Sequence, residues 1–149
     1  MAEQNKSVAI VLLPSDDSWC RQEFAHTTLV YVGDDIDLNA FLLKDALVKM
    51  ALVVSTITSP FLVEVSGIEV FGDEERVDVL ALEPRPKLLA VRELFLKWDN
   101  LEFPDYKPHA TIGPAFGPRQ NIPIALLFDR ICVWWGDEKV IFWLKGLNH

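Results

Sequence analysis

Cysteine is scarce in this chain of 149 residues, and the two that occur, Cys20 and Cys132, lack a metal-binding spacing. Zinc sites usually pair cysteines or histidines a few residues apart, which these positions do not. Two cysteines allow one disulfide, but the first residues are polar and contain no apolar core of a secretion signal. Because disulfides persist mainly in oxidising compartments, we expect a reduced, cytoplasmic protein.

Long hydrophobic runs and excess positive charge are also missing. The longest apolar stretch, residues 41–57, contains Lys44, Asp45 and Lys49, so we expect no membrane span there. The 14 Lys and Arg residues are outnumbered by 22 Asp and Glu residues, which gives a net charge of −8. Long nucleic acid is therefore not an expected partner, because Lys and Arg contacts to phosphates dominate such binding. A small anionic substrate in one locally basic cleft is compatible with this charge.

The patterns that hold triphosphates, dinucleotides and metal ions are absent from the sequence as well. There is no Gly-rich Walker loop and no dinucleotide fingerprint. The acidic groups at residues 34–37 and 73–75 lack the frame of a calcium loop, so solvated turns and a helix cap are expected there. Cys20 precedes His26, but no third group is in place to orient a thiol nucleophile. We expect neither a metal ion nor a cofactor.

Seven strands and two helices are predicted from the hydrophobic pattern. The strands are predicted at residues 7–13, 26–32, 61–71, 77–82, 109–113, 128–135 and 140–144. Asp37 is the predicted N-cap of a helix that ends near Ser55, and Pro84 and Pro86 introduce the second helix. Each half of the chain contributes strands and one helix. This order predicts an α+β fold in a single domain, residues 1–149, with an approximate internal duplication.

Two copies of one short pattern, His-x-Thr-aliphatic, are the most informative feature of the chain. They begin at His26 and His109, and each begins a predicted strand. Side chains alternate along a strand, so Thr28 shares a face with His26, and Thr111 shares a face with His109. Thr27 points the other way and is excluded from the candidate site. The chain has only three histidines, so two matched copies favour a shared role over two structural histidines bonded to backbone carbonyls.

These residue types match the needs of phosphodiester cleavage without a metal. The reaction requires a base for the attacking oxygen, an acid for the leaving oxygen and hydrogen-bond donors for the phosphoryl oxygens. Imidazole serves as acid or base because its pKa of about 6.5 lies near working pH. Two imidazoles can therefore take both roles, and threonine hydroxyls can donate to the phosphate. The sequence does not indicate which histidine is the acid.

The motifs and the strand–helix order resemble the two-histidine phosphoesterase superfamily, which includes LigT-like RNA phosphodiesterases and related cyclic-nucleotide hydrolases. The resemblance spans most of the chain but rests mainly on the two motifs, the second of which follows Pro108. It implies a duplicated, two-lobed fold in which antiparallel sheets line a central cleft and two helices pack on the outside. It also implies catalytic roles for His26 and His109 and phosphate-binding roles for Thr28 and Thr111.

The resemblance also implies a range of substrates: 2′,3′-cyclic phosphates, 2′–5′ linkages and cyclic oligonucleotide signals. Many RNA-acting members have a basic residue directly after the second motif, whereas here Ile112 is followed by Gly113 and Pro114. Together with the negative net charge, this favours a small cyclic nucleotide or cyclic oligonucleotide over RNA. Several viruses of bacteria carry such enzymes against nucleotide immune signals, and this compact acidic chain would suit that role in the host cytoplasm.

Further substrate-binding candidates are cations near the second motif and aromatic side chains. Lys107 and Arg119 can offset phosphate charge, although a solvated surface position is the alternative reading. Aromatic faces stack nucleobases, and the candidates for this role are Trp19, Tyr106, Trp134 and Trp143. Core packing is the alternative, and it is favoured for the tryptophans of the final hairpin. Since Trp134 and Trp135 are adjacent on one strand, they face opposite sides, and at least one lies outside the main core.

Three functions follow from these patterns. The leading one is metal-independent hydrolysis of a small cyclic nucleotide. RNA end processing or 2′–5′ ligation is a second, which the net charge disfavours. Capture of a cyclic nucleotide without turnover is a third, which needs no matched acid and base. The sequence carries no signal for the oligomeric state.

Overall fold

The computed structural model describes residues 5–102, 105–117 and 122–146, which contain seven strands and two α-helices. The strands are β1 (Val8–Pro14), β2 (Thr27–Gly33), β3 (Phe61–Phe71), β4 (Val77–Leu82), β5 (His109–Pro114), β6 (Ala125–Trp135) and β7 (Glu138–Trp143). The helices are α1 (Phe41–Ile57) and α2 (Pro86–Glu93), and a short 3₁₀ helix (Leu96–Trp98) follows α2. This is the predicted order of elements.

The strands form one antiparallel sheet in the order β1-β2-β5-β4-β3-β6-β7, and β1 also pairs with β6. The extra pairing closes six strands into a ring, with β7 attached outside it. We distinguish a terminal lobe, formed by β2, β1, the second part of β6 and β7, from a middle lobe, formed by β5, β4, β3 and the first part of β6. The predicted α+β fold is confirmed, with one continuous sheet in place of separate sheets.

The two lobes share strand β6. Its residue Phe128 pairs with Phe61 of β3 in the middle lobe and with Pro14 of β1 in the terminal lobe. The lobes meet a second time where β2 pairs with β5 through Thr27 and Ala110. The His-x-Thr strands therefore lie at the junction between the lobes.

One large hydrophobic cluster fills the space between the sheet and the helices. Helix α1 packs against β6 and β7, and α2 contacts β2. The helices contribute the buried side chains Leu47, Ala51, Val54, Leu88 and Val91, and burying a large aliphatic side chain stabilises a fold by about 1.5–3 kcal/mol. Pro86 occupies the first turn of α2, as predicted. No described helix is long and apolar enough to span a membrane.

The start of α1 differs from the prediction. The Asp37 side chain accepts a hydrogen bond from the backbone N–H of Asn39, at 3.0 Å, and so forms a local turn. Short polar side chains compete with helix formation in this way. Helix α1 therefore begins at Phe41 with Ala40 at the N-cap, where no side-chain cap bond forms. The prediction of Asp37 as the N-cap was wrong.

Candidate active site

The register between β2 and β5 brings the two motifs together. Thr27 is paired with Ala110 in an antiparallel arrangement, so His26 lies opposite Thr111 and Thr28 lies opposite His109. The paired residues Thr27 and Ala110 are buried, and alternation directs the four motif side chains to the other face. The two histidines occupy diagonal positions, which are about 7–8 Å apart on neighbouring strands. We call His26, Thr28, His109 and Thr111 the motif quartet.

Both imidazoles are oriented by the same local contact. The Nδ1 atom of His26 lies 2.8 Å from the carbonyl oxygen of Phe24, and Nδ1 of His109 lies 2.8 Å from the carbonyl oxygen of Lys107. A carbonyl oxygen only accepts hydrogen bonds, so Nδ1 carries the hydrogen in each ring. In the neutral ring, Nε2 is then the unprotonated atom that is able to take a proton.

The two histidines differ in their surroundings. The His26 ring contacts Phe24, at 5.7 Å, and Trp134, at 5.1 Å, measured between ring centroids, and these two rings contact each other at 4.9 Å. Burial lowers the pKa of His26 below the usual histidine value, the hydrogen bond to the Phe24 carbonyl opposes this, and the charge of His109 lowers it further. His109 contacts Phe71, with centroids 4.7 Å apart. The electrostatic effect of His109 on His26 agrees with the closeness that the register indicates.

Side chains hold the edge of β2 beyond its pairing with β5. The Tyr106 hydroxyl donates a hydrogen bond to the Thr28 carbonyl at 2.9 Å, and Arg92 Nε donates to the Leu29 carbonyl at 3.0 Å. The Arg92 guanidinium lies over the Tyr106 ring at 4.0 Å. We call Tyr106 and Arg92 the edge clamp. Burial raises the pKa of Tyr106 well above its usual value, so its hydroxyl stays protonated as a donor.

The edge clamp changes the interpretation of Tyr106. Arg92 covers one face of its ring, and its hydroxyl is bonded to the backbone of Thr28. These contacts assign Tyr106 to the positioning of β2, and its base-stacking role stays a prediction, with one ring face covered by Arg92. Since Tyr106 is three residues before His109 and bonds beside Thr28, it connects the two motifs.

Trp19 was predicted wrongly as a stacking residue. Its side chain is 2% exposed within the main core, and its indole N–H donates to the Asp16 carbonyl at 2.7 Å. No face of the ring is available to a substrate. An isolated tryptophan in a predicted loop carries no sequence signal of this burial.

The other predicted substrate-binding residues lie at the surface or outside the described part of the chain. Lys107 is exposed, and its carbonyl group is what contacts His109. Trp143 is 60% exposed and is paired with Arg130 of β6, whose guanidinium lies 5.2 Å from the ring centroid. Arg119 lies outside the described residues. Lys107 and Trp143 are thus surface residues, and the contacts among described residues bring neither the ammonium nor the indole to the motif quartet.

The adjacent tryptophans of β6 face opposite sides, as predicted. Trp135 is buried in the main core, whereas Trp134 packs on the second, smaller cluster together with Phe24 and Tyr31. Lys139 of β7 lies over the rings of Phe24 and Trp134, at 4.9 and 5.1 Å. Core packing was favoured for all three tryptophans of the final hairpin. It is confirmed for Trp135, Trp134 is half-buried against the second core cluster, and Trp143 is exposed.

A cavity of about 260 Å³ lies next to His26, and sequence reasoning missed several residues that line it. The lining residues are Asn5, Ser7, Ala9, Val11, His26, Thr28, Tyr31 and Trp134. Tyr31 was missed because strict alternation would place Val30, and not Tyr31, beside Thr28. The register shifts between the pairs Ile10–Val30 and Val11–Thr28, and such a bulge reverses the facing of later residues. Nothing in the sequence marks the bulge.

Arg21 is a second residue that sequence reasoning missed. Its Nη2 donates to the Pro114 carbonyl at 2.6 Å and lies 3.8 Å from a carboxylate oxygen of buried Asp78. A Cβ at Gly113 would lie 3.0 Å from Arg21 Nε, and one at Gly117 would lie 2.5 Å from Nη2. Arg21 thus places a guanidinium beside the residues that follow the second motif, where it is engaged by the Pro114 carbonyl and Asp78, whereas the sequence pointed to Lys107 and Arg119 as the nearby cations.

Metal-ligating side chains do not cluster in the described part of the chain, where no group of three His, Cys, Asp or Glu residues is placed to hold an ion. The thiol of Cys132 is buried, and burial raises its pKa to about 12. Desolvation also raises the pKa of Cys20. Both sulfur atoms are therefore held as thiols at neutral pH and are poor nucleophiles.

The fold is shared with solved structures, one of which is described as a phosphoesterase. TT0787 of Thermus thermophilus superposes with a TM-score of 0.59 at 14% identity, over 96% of this chain and 100% of that chain. E. coli LigT in its apo form gives 0.54 at 12% identity, over 96% of each chain, and LigT complexed with phosphate also matches. A further structure described as a phosphoesterase gives 0.53 at 12% identity, over 94% of this chain and 96% of that one.

Sequence comparison adds nothing to this likeness. No protein-family model matches the chain, and no curated protein matches it. The chain has a LigT-like fold, as the two motifs predicted. Identities of 12–14% establish the fold alone.

Proposed function

We propose that this protein is a metal-independent phosphodiesterase that hydrolyses a small cyclic nucleotide or cyclic oligonucleotide. The observation that carries the proposal is the register of β2 and β5, which sets the histidine of each motif opposite the threonine of the other. Two imidazoles and two hydroxyls then lie on one face of two paired strands, close enough together to bind one phosphate. The LigT-like fold, shared with structures of phosphoesterases and of LigT with phosphate, supports the same conclusion.

We assign the general base to His26 and the general acid to His109. His26 Nε2 takes a proton from water as the water oxygen bonds to phosphorus, and His109 Nε2 gives a proton to the departing ribose oxygen. The P–O bond of the ring breaks, and a phosphomonoester remains. The partly buried position of His26 beside Phe24 and Trp134 lowers its pKa and favours the neutral ring, as a base requires. Thr28 and Thr111 donate hydrogen bonds to the non-bridging oxygens.

The proposed cellular role comes from the resemblance to two-histidine phosphoesterases of bacterial viruses, and the charge of the chain is compatible with it. A net charge of −8 opposes binding to long nucleic acid but not to a small nucleotide. We extend the proposal to an enzyme that degrades nucleotide immune signals in a bacterial cytoplasm, as a viral protein would.

A panel of substrates tests the proposal. Wild-type protein is incubated in EDTA with 2′,3′-cyclic AMP, an RNA ending in a cyclic phosphate, and cyclic di- and triadenylate. We expect turnover of at least one small cyclic compound and slower turnover of the RNA. Each of His26→Ala and His109→Ala should reduce kcat by about 10²- to 10⁴-fold, the usual contribution of one acid or base.

Adjacent threonines provide the matched control. Thr28→Val should reduce kcat by about 10- to 1000-fold because a donor to the phosphate is lost, whereas Thr27→Val alters only the buried face. Full cleavage by both histidine variants would exclude the mechanism. Loss of activity in EDTA with recovery in a divalent metal would exclude metal independence. Unchanged ligand recovered from a tight complex would instead identify a capture protein.

A further inference from the structure

The cavity beside His26 contains two aromatic rings on either side of a small residue. Tyr31 of β2 is paired with Ala9 of β1, and Ala9 is paired with Trp134 of β6. The three residues form one row across the terminal lobe, and the outer two strands of such a row are separated by about 9.5 Å. Ala9 leaves space between the rings because it has only a methyl group. We call Tyr31, Ala9 and Trp134 the aromatic slot.

A slot of this width suits a flat group held between two rings. Stacked aromatic planes lie about 3.5 Å apart at van der Waals contact, so a ring on each side and one heterocycle between them span about 7 Å. Two strands about 9.5 Å apart leave room for such a stack between their side chains. The floor of the cavity, formed by Ala9 and Val11, is apolar.

The two ends of the cavity differ in chemistry. One end contains His26 and Thr28 of the motif quartet, and the other contains Asn5 and Ser7. The Tyr31 hydroxyl lies 3.5 Å from Ser7 Oγ and donates to it, so the hydrogen of Ser7 can be donated to an acceptor on a ligand. From the Val11 position to the Ser7 position, β1 extends about 13 Å. This length and this polarity suit a phosphate at one end and the polar edge of a base at the other.

We propose that the aromatic slot binds the nucleobase of the nucleotide whose phosphate lies at the motif quartet. This inference rests on the proposed function and adds the location of the base. The volume of about 260 Å³ is slightly below the usual 300–1,000 Å³ of small-ligand pockets. It suits one nucleoside, so a second nucleotide of a cyclic substrate would lie outside the slot.

Trp143 is the competing stacking residue. It is on the neighbouring strand β7 and is 60% exposed, with Arg130 beside its ring. A base stacked there would have one ring and open solvent, whereas a base in the slot has a ring on each side. The geometry therefore favours Trp134 over Trp143, and the two tryptophans can be compared directly.

Calorimetric titration at pH 8, where His26 is neutral in every variant, tests the slot with two probes, 3′-AMP and inorganic phosphate. Wild-type protein should bind 3′-AMP at least tenfold more tightly than phosphate. Trp134→Ala should weaken 3′-AMP binding by about 5- to 100-fold, the effect of losing one base–aromatic stack, and leave phosphate affinity within about twofold. Ala9→Leu keeps both rings but fills the floor of the slot, so it should have the same effect.

Several results would overturn the inference. These are equal affinity of the wild type for both probes, an equal loss for both probes in Trp134→Ala, and a selective loss in Trp143→Ala with none in Trp134→Ala. Near-ultraviolet circular dichroism checks the fold of each variant. If Trp134→Ala does not fold, the effect of Ala9→Leu on 3′-AMP binding relative to phosphate binding tests the slot in its place. Base-dependent binding without any cleavage by the wild type would reject the proposed function and leave the slot intact.

Discussion

At the scale of single residues, Thr27 and Thr28 are neighbours of identical chemistry in opposite environments. Thr27 is buried, and its hydroxyl has no hydrogen-bond partner among the residues that the structure describes. A buried hydroxyl without a partner costs about 1–3 kcal/mol, and an isosteric apolar group avoids that cost. We therefore expect Thr27→Val to raise the free energy of unfolding by about 1 kcal/mol. Urea titration measures this, and a loss of stability would contradict it.

The lowered pKa of His26 is a second residue-scale feature. Phe24 stacks on the imidazole and removes water from it, so Phe24→Ala should raise the pKa of His26 toward the ordinary value of about 6.5. Nitrogen chemical shifts of the imidazole, followed by NMR against pH, report this directly. A pKa unchanged by the substitution would show that Phe24 does not desolvate the ring.

The same shift has a consequence for stability. The unfolded chain takes up a proton on His26 at a higher pH than the folded chain does, because folding lowers the pKa. The contribution of neutral His26 to the free energy of unfolding is therefore complete above about pH 6.5. It is lost as the pH falls through the lowered pKa of His26 in the folded state. Phe24→Ala should reduce this loss of stability below about pH 6.5, apart from its general cost in packing.

The sequence predicted the motif quartet but not the aromatic residues around it. Alternation along a strand depends only on neighbouring residues. Once the strands are recognised, it predicts that His26 and Thr28 share a face, and that His109 and Thr111 do. Whether an aromatic ring is covered depends on elements far away in sequence. Trp19 is therefore in the core, against expectation, and no local pattern distinguishes it from an exposed tryptophan.

At the scale of secondary structure, the edge clamp holds β2 where its backbone pairing with β5 ends. Tyr106→Phe removes the hydrogen bond to the Thr28 carbonyl and leaves the ring under Arg92. We expect a loss of about 1 kcal/mol in the free energy of unfolding, the usual value of one hydrogen bond. We also expect kcat to fall by about 3- to 10-fold with little change in KM, because Thr28 shifts relative to the phosphate.

A matched variant separates positioning from general loss of stability. Ser66→Ala removes a hydrogen bond to the Ala81 carbonyl, at 3.1 Å between β3 and β4, and leaves the Thr28 carbonyl bond in place. If both variants reduced kcat equally at matched stability, the edge clamp would have no specific effect on Thr28. Unchanged kcat in Tyr106→Phe would also argue against a positioning role.

Element boundaries depended on effects that hydrophobic periodicity does not contain. The periodicity predicted the buried stripe of α1, including Leu47 and Val54, but not its start at Phe41, because the Asp37 side chain stabilises a turn with Asn39. Likewise, the bulge in β2 turns Tyr31 into the cleft. Both are choices among local conformations that differ by about 1 kcal/mol, and the surrounding fold decides them.

At the scale of the whole molecule, Arg21 ties the connection between β1 and β2 to the middle lobe. It bonds to the Pro114 carbonyl and pairs with buried Asp78. We expect Arg21→Ala to lower the free energy of unfolding by about 2–4 kcal/mol, because a buried carboxylate loses a positive partner. Thermal and urea unfolding measure the loss. Lys87→Ala, on the exposed side of α2, changes the net charge equally and should alter stability by less than about 0.5 kcal/mol.

Equal effects of Arg21→Ala and Lys87→Ala would show that net charge, and not the tie between the lobes, determines the loss. The tie itself was not predictable, because Arg21 and Asp78 are far apart in sequence and neither belongs to a recognisable motif. The sequence did predict the order of strands, and that order is enough to suggest an internal duplication. It did not predict that β6 would serve both lobes.

Strand β6 has a consequence for any attempt to divide the protein. Phe128 belongs to ladders on both sides of the molecule, so a fragment ending in the connection after α1 would contain β1 without the neighbour that covers it. The remaining fragment would expose the matching edge of β6. Two such pieces would be expected to fold only by complementing one another, as the halves of a split protein do. An ancestral chain of half this length would have needed a second copy to pair with.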